Sequence, residues 1–119
     1  GIIFTGFRTD MKDIYRELNV AVHPSHSENL GGAAESLAAG VATISTDVGG
    51  FPDIVVNGET GYTVKPKCPE DLSNSIMMMA ENPTIANIMA RNGKKKVREL
   101  LNIENTARNI LSIYKEIVK

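Results

Sequence analysis

The sequence predicts an α/β fold, a parallel β-sheet flanked by helices. Short apolar runs alternate with segments of helical periodicity, in the order strand, helix, strand, helix, strand, helix, strand, then further helices. The strand-like runs are apolar rather than alternating, Ile2-Ile3-Phe4 and Val20-Ala21-Val22 most clearly, as strands buried on both faces are. Glycines and prolines separate the segments.

In order, residues 2–6 read as a short buried strand ending at Gly6. Asp10 is placed to cap a helix over about 11–18, where Met11, Ile14, Tyr15 and Leu18 recur at helical spacing. Val20-Ala21-Val22-His23 reads as a second strand, stopped by Pro24. A polar loop follows over 25–31, then a helix of small residues over 32–39, with Gly40 as its stop. Residues 41–46 form a third strand, and Asp47-Val48-Gly49-Gly50 a tight turn. After a brief helical piece at 52–56 come the turn signals Asn57-Gly58 and Thr60-Gly61, then a fourth strand, Tyr62-Thr63-Val64. Pro69, Glu70 and Asp71 open a helix to about residue 81, with proline in the first turn and acids at the positive end of the dipole. Pro83 opens another to about residue 101, which Gly93 marks as a place to break. The last helix, about 103–118, gathers Ile103, Ala107, Ile110, Leu111, Tyr114, Ile117 and Val118 on one face. In the Met77-Met78-Met79 run only one or two side chains can face a core, and Lys94-Lys95-Lys96 reads as a solvated face.

Composition narrows the function classes. The 119 residues fit one domain, and the formal net charge of −1 gives no basic face for nucleic acid. No apolar run approaches the roughly 20 residues that cross a bilayer, and no secretory signal is visible. Cys68 is the sole cysteine, so an internal disulfide is impossible. His23 and His26 have neither a cysteine nor a spaced carboxylate beside them, so no metal site is expected. A chain that begins at Gly1 directly in an apolar strand reads as a partial domain, 1–119, cut from something larger.

The chemistry concentrates between His23 and Gly40. A strand ends, a loop follows, and Gly31-Gly32 opens a helix. In open parallel sheets ligands bind beyond the carboxyl ends of the strands, and free amides at a helix start suit a phosphate. Glu35 follows Gly32 by three residues and can face the loop, while Glu28 lies in the loop. Two carboxylates beside a phosphate cradle are poor phosphate ligands but good acceptors for vicinal hydroxyls. A ligand with a central pyrophosphate and a sugar at each end satisfies the set. Taken alone, Glu28 is equally a solvated loop acid or a helix cap, Glu35 a surface helix residue, and Gly49-Gly50 a plain helix start. His23 reads as a strand-end residue satisfied by the main chain, and His26 as a loop residue rather than a base.

These motifs resemble those of the group 1 glycosyltransferases, retaining enzymes of the GT-B fold. The chain carries Pro24-Ser25-His26-Ser27-Glu28, then Gly31-Gly32, Glu35 followed by Gly40, Asp47-Val48-Gly49-Gly50, and Asn57-Gly58-Glu59-Thr60-Gly61. The likeness runs from about Phe4 through the final helix. It implies a Rossmann-like sheet in the C-terminal, nucleotide-sugar-binding half of such an enzyme. It further implies transfer of a hexosyl-type group from a nucleotide diphosphate sugar to an acceptor, with no cofactor and no divalent metal. By the same likeness Glu28 serves catalysis by contacting the donor sugar. The main chain of Asn29, Leu30, Gly31 and Gly32 meets the sugar and diphosphate, and Glu35 holds the ribose. The sequence departs from the family at three points. Six residues rather than seven stand between Glu28 and Glu35, Asp53 replaces the commoner glutamate, and the upstream basic pair has no match, Arg8 and Lys12 standing in a different context.

The expected partners are the donor and the N-terminal half of the same enzyme, with the whole in the cytoplasm or peripherally at the cytosolic face of a membrane. Two other readings share the pattern: a non-catalytic nucleotide-sugar-binding module and a nucleotide-sugar epimerase. A receiver-type signalling domain is disfavoured, because no acidic pair follows the first strand. A Rossmann-like half usually has about six strands; with four expected here, the sheet is incomplete. The apolar face of the last helix, which in the family crosses to the other half, is expected to be partly exposed.

Overall fold

The computed structural model describes residues 1–27 and 30–118. Three parallel strands form the sheet, β1 (Val20–His23), β2 (Ala42–Thr46) and β3 (Gly61–Val64), in the order β1-β2-β3. Val20 stands opposite Ala42, and Thr43 opposite Gly61. The helices are α1 (Met11–Glu17), α2 (Gly31–Ala38), α3 (Phe51–Ile54), α4 (Pro69–Glu81), α5 (Pro83–Leu100) and α6 (Ile103–Ile117). The expected α/β, Rossmann-like architecture is present.

β2 is central and buried at every position, so its alternation feeds both faces. Ala42 and Ile44 join Val64, Met79, Ala86, Met89 and Ala90 in a cluster under α4 and α5. Thr43 faces the other way, onto Ser36 of α2. On that side Ala33, Leu37, Phe51, Ile54 and Val55 pack with Val97, so α5 contributes to both clusters. Of the three consecutive methionines, Met79 alone is buried.

Two glycines mark the closest approaches. A Cβ on Gly61 would lie 2.2 Å from the Thr43 carbonyl oxygen, and one on Gly93 would lie 2.4 Å from Leu37 Cδ2. Gly93 therefore does not break α5, which runs unbroken to Leu100. The residue is small because Leu37 sits against it, and tertiary packing outweighs the helix cost of glycine, about 1 kcal/mol.

Three expectations need correction. Residues 2–6 form no strand, with Ile2, Ile3 and Phe4 each at least 87% exposed. An apolar run records a preference for burial, but a strand also needs a neighbour's ladder, and β1 pairs only with β2. The sheet accordingly has three strands, not four. Asp10 precedes α1 but makes no side-chain cap. Its carboxylate is held by both ends of the Arg8 guanidinium fork, with Nε donating at 2.8 Å. Such a charge-assisted pair outcompetes a neutral amide donor, and it holds the Asp10 carboxyl below its ordinary value. Only the Asp10 carbonyl serves the helix, accepting from the Asp13 and Ile14 amides.

α6 is well capped: Asn102 Oδ1 accepts from the Glu104 and Asn105 amides at 2.8 and 3.4 Å. Yet it buries no residue, and Ile103, Ile110, Leu111, Ile113, Tyr114 and Ile117 are all exposed. The exposure expected of this face is seen, and it extends over the whole helix. No described helix is long and apolar enough to cross a membrane.

Candidate functional site

Because the strands are parallel, the β1–α2, β2–α3 and β3–α4 connections all leave from one rim of the sheet. The β1–α2 loop is tied to its neighbour strand there, with Thr46 Oγ1 donating to the Ser25 carbonyl at 2.6 Å.

His23 closes β1 and turns toward α2. Its Nε2 lies 3.1 Å from Ser36 Oγ, which donates to the Ala33 carbonyl at 3.0 Å and stands 3.0 Å from Thr43 Oγ1. Thr43 Oγ1 also lies 2.9 Å from the Val41 carbonyl, so its one proton is shared between that oxygen and Ser36 Oγ. This buried polar chain locks the helix start onto the strand end. Ser36 is a partner that the sequence does not reveal, because nothing local links positions 23 and 36. Ser45, opposite His23 in the ladder, is fully buried, and its Oγ has no hydrogen-bond partner among the described residues. Such a group costs about 1–3 kcal/mol.

Gly32 and Gly50 fit the same region closely. A Cβ on Gly32 would meet His23 Cε1 and Nδ1, each at 3.1 Å. One on Gly50 would meet Leu30 Cγ at 2.8 Å. The Leu30 side chain thus packs inward, against the Phe51 cluster. Its carbonyl accepts from the Ala34 amide at 2.9 Å. The Gly32 and Ala33 amides stand in the first turn, where a helix supplies no intrahelical partners. The Leu30 side chain is thus taken up by packing, which leaves its main chain toward the loop.

Glu35 lies one turn further along α2 and is exposed. The Tyr15 hydroxyl of α1 donates to its Oε2 at 3.4 Å, leaving Oε1 open to another donor. Burial, then the Glu35 charge and this hydrogen bond, push the Tyr15 phenol above its ordinary value. Tyr15 was placed on the apolar face of α1 by its spacing, and no sequence signal connects it to a residue across β1. The structure thus brings Leu30, Gly31, Gly32 and Glu35 together on one helix start. Glu28 and Asn29 lie outside the described residues. Among the described residues no three His, Cys, Asp or Glu side chains converge as metal ligands do. His26 is exposed in the loop.

Known proteins share this sequence family and this fold. The family described as "Glycosyl transferases group 1" matches residues 1–96. The lipopolysaccharide core biosynthesis mannosyltransferase LpcC of Rhizobium leguminosarum bv. viciae is 30% identical over 98% of the chain, which spans 34% of that protein. The crystal structure of the C-terminal domain of the LpcC glycosyltransferase from Francisella tularensis superposes with a TM-score of 0.74 at 31% identity. That match covers 86% of the chain and 53% of the domain. Anabaena HepE in complex with UDP shares the fold at a TM-score of 0.87 and 21% identity, over 95% of the chain and 32% of its own. The chain spans about a third of the length of the curated relatives it matches. With residues 1–96 matched by the family and 95% of the chain matched in fold, the chain belongs to the group 1 glycosyltransferases, in their GT-B, Rossmann-like form.

Proposed function

We propose that this chain is the donor-binding part of a retaining glycosyltransferase that moves a hexosyl group from a nucleotide diphosphate sugar to an acceptor. One observation carries the reading. An exposed carboxylate, Glu35, stands one turn inside a helix opened by Gly31-Gly32, at the carboxyl rim of a parallel sheet. The N-terminal end of α2 and its dipole suit a pyrophosphate, and Glu35 can accept from two vicinal ribose hydroxyls. Glu28, by its place in the motif, contacts the donor sugar, and the main chain of Asn29 to Gly32 meets the sugar and diphosphate.

Chemically, the amides lower the barrier by stabilising charge on the departing diphosphate, a preorganised electrostatic effect. They take the place of a divalent metal, so none is required. HepE, which shares this fold, has been captured with UDP and with UDP-glucose, so such a sheet can hold such a donor. The acceptor side and the remaining basic groups come from the N-terminal half of the enzyme, and the chain alone binds without transferring. The enzyme works in the cytoplasm, at the cytosolic face of a membrane where its acceptor is membrane-bound.

The test is calorimetric titration with UDP and GDP in the presence of a chelator. Binding should survive the chelator, and Glu35→Ala should weaken it about tenfold or more, the scale of hydrogen bonds to a charged group. Equal affinity in wild type and Glu35→Ala overturns the ribose assignment.

A further inference from the structure

The other side of the same rim holds a feature that the donor reading does not use. A cleft of about 160 Å³ opens where the three strands end, lined by Pro24 and His26 of the β1–α2 loop, Thr46, Val64, Lys65 and Lys67 after β3, and the start of α4. Of its lining, Thr46 and Val64 are buried, while both lysines are exposed. Among the described residues the ion pairs are Arg8–Asp10 and Arg16–Asp13, so neither lysine is neutralised by a carboxylate. Glu70 and Asp71 open α4 close by, exposed, and pair with neither.

Lys67 stands apart in a second way. Its φ is +60°, the sole positive value at a non-glycine position among the described residues. A side chain in that region costs about 1–2 kcal/mol, and such strain concentrates at functional sites. A glycine would relieve it, yet a lysine stands there. The cleft is much larger than the roughly 30 Å³ share of one water and smaller than the ~300 Å³ at which pockets take whole ligands. It fits a group, not a molecule.

The geometry points to an oxyanion subsite in this cleft, bounded by Lys65, Lys67 and His26, that takes a phosphate or carboxylate group of the acceptor. The acceptor assignment rests on the donor reading above, since Pro24 and His26 belong to the loop that carries the donor motif. Because the cleft shares Pro24 and His26 with that loop, an anionic acceptor is held beside the donor. Two cationic side chains on one small cleft also raise the local concentration of anions.

Cys68, the chain's one cysteine, lines the cleft and is partly exposed, so its alkylation by iodoacetamide reports occupancy. Inorganic phosphate or glucuronate should slow alkylation several-fold relative to chloride at matched ionic strength. Protection by phosphate alone marks a phosphorylated acceptor, and protection by glucuronate alone an acidic sugar; either supports the subsite. In Lys65→Gln/Lys67→Gln the ratio with and without phosphate should fall to one. Lys67→Gly should keep or raise the melting temperature while losing protection, which a purely structural lysine would not do. Alkylation slowed no more by phosphate and glucuronate than by chloride, or protection that survives in the double variant, overturns the subsite. Glu35→Ala should weaken nucleoside diphosphate binding about tenfold and keep phosphate protection. If wild type binds no nucleoside diphosphate while phosphate still protects Cys68, the donor reading and the acceptor assignment fall and the oxyanion site stands.

Discussion

Gly32 lies directly over the imidazole of His23: a Cβ there would sit 3.1 Å from both Cε1 and Nδ1. The ring cannot easily yield, because Nε2 is engaged with Ser36. Alanine favours a helix over glycine by about 1 kcal/mol, so Gly32→Ala gains propensity while shifting the ring or the helix start by a few tenths of an ångström. Denaturant midpoints should move little. Nucleoside diphosphate affinity should drop several-fold, because the methyl presses on the His23 ring and displaces the helix start that carries the amides. Unchanged affinity, measured by titration, would place the ligand elsewhere.

Gly61 has no such latitude. A Cβ would come within 2.2 Å of the Thr43 carbonyl oxygen, a backbone atom of the central strand. Gly61→Ala should cost about 3 kcal/mol, the upper end for overpacking. Gly58→Ala is the control: it pays for a positive φ of +80° but meets no atom within 4 Å, and should cost about 1–2 kcal/mol. Urea denaturation of both variants checks the order.

Tyr15 supplies a pH dependence. Its phenol is raised above the ordinary tyrosine value by burial first, then by the Glu35 charge and the hydrogen bond. A raised folded-state value means stability that is fully present below the unfolded value and lost as pH rises through the folded one. Stability should therefore decline on the alkaline side of the ordinary tyrosine range, and Tyr15→Phe should remove that part of the decline. Glu35→Gln should bring the Tyr15 titration only part of the way back, since burial remains. Spectrophotometric titration of the tyrosinate reads this directly; full return in Glu35→Gln would show that burial is not the leading cause.

The bare face of α6 should make the chain self-associate. Ile110, Ile113 and Ile117 are about half exposed or more, and the helix buries no residue; contiguous apolar surface of this kind associates. Ile113→Glu should shift sedimentation toward monomer and leave the melting temperature unchanged, because no core contact is lost. A fall in melting temperature would mean that this face packs on the domain.

The fold was legible where local signals agreed with packing. Pro69, Glu70 and Asp71 placed α4 at its observed bounds, and Gly40 ends α2 with a φ of +76°. It was illegible where a neighbour decides. Ile2-Ile3-Phe4 has a strand's composition but no ladder to join, Asp10 has a cap's chemistry but Arg8 claims it, and Gly93 looks like a helix break but is a seat for Leu37. At the site, the motif placed Gly31, Gly32 and Glu35 together because one helix start carries them all. Tyr15, Ser36 and the lysine cleft were missed because each depends on residues brought together by the sheet, far apart in sequence.

The most direct measurement pairs one protein group with one ligand group. Affinities of a ribonucleoside diphosphate and its 2′-deoxy analogue are measured for wild type and for Glu35→Ala. Removal of the 2′-hydroxyl should weaken the wild type about tenfold, a lost hydrogen bond to a charged group, and leave Glu35→Ala indifferent. An equal loss in both proteins would contradict a carboxylate at position 35 gripping the ribose.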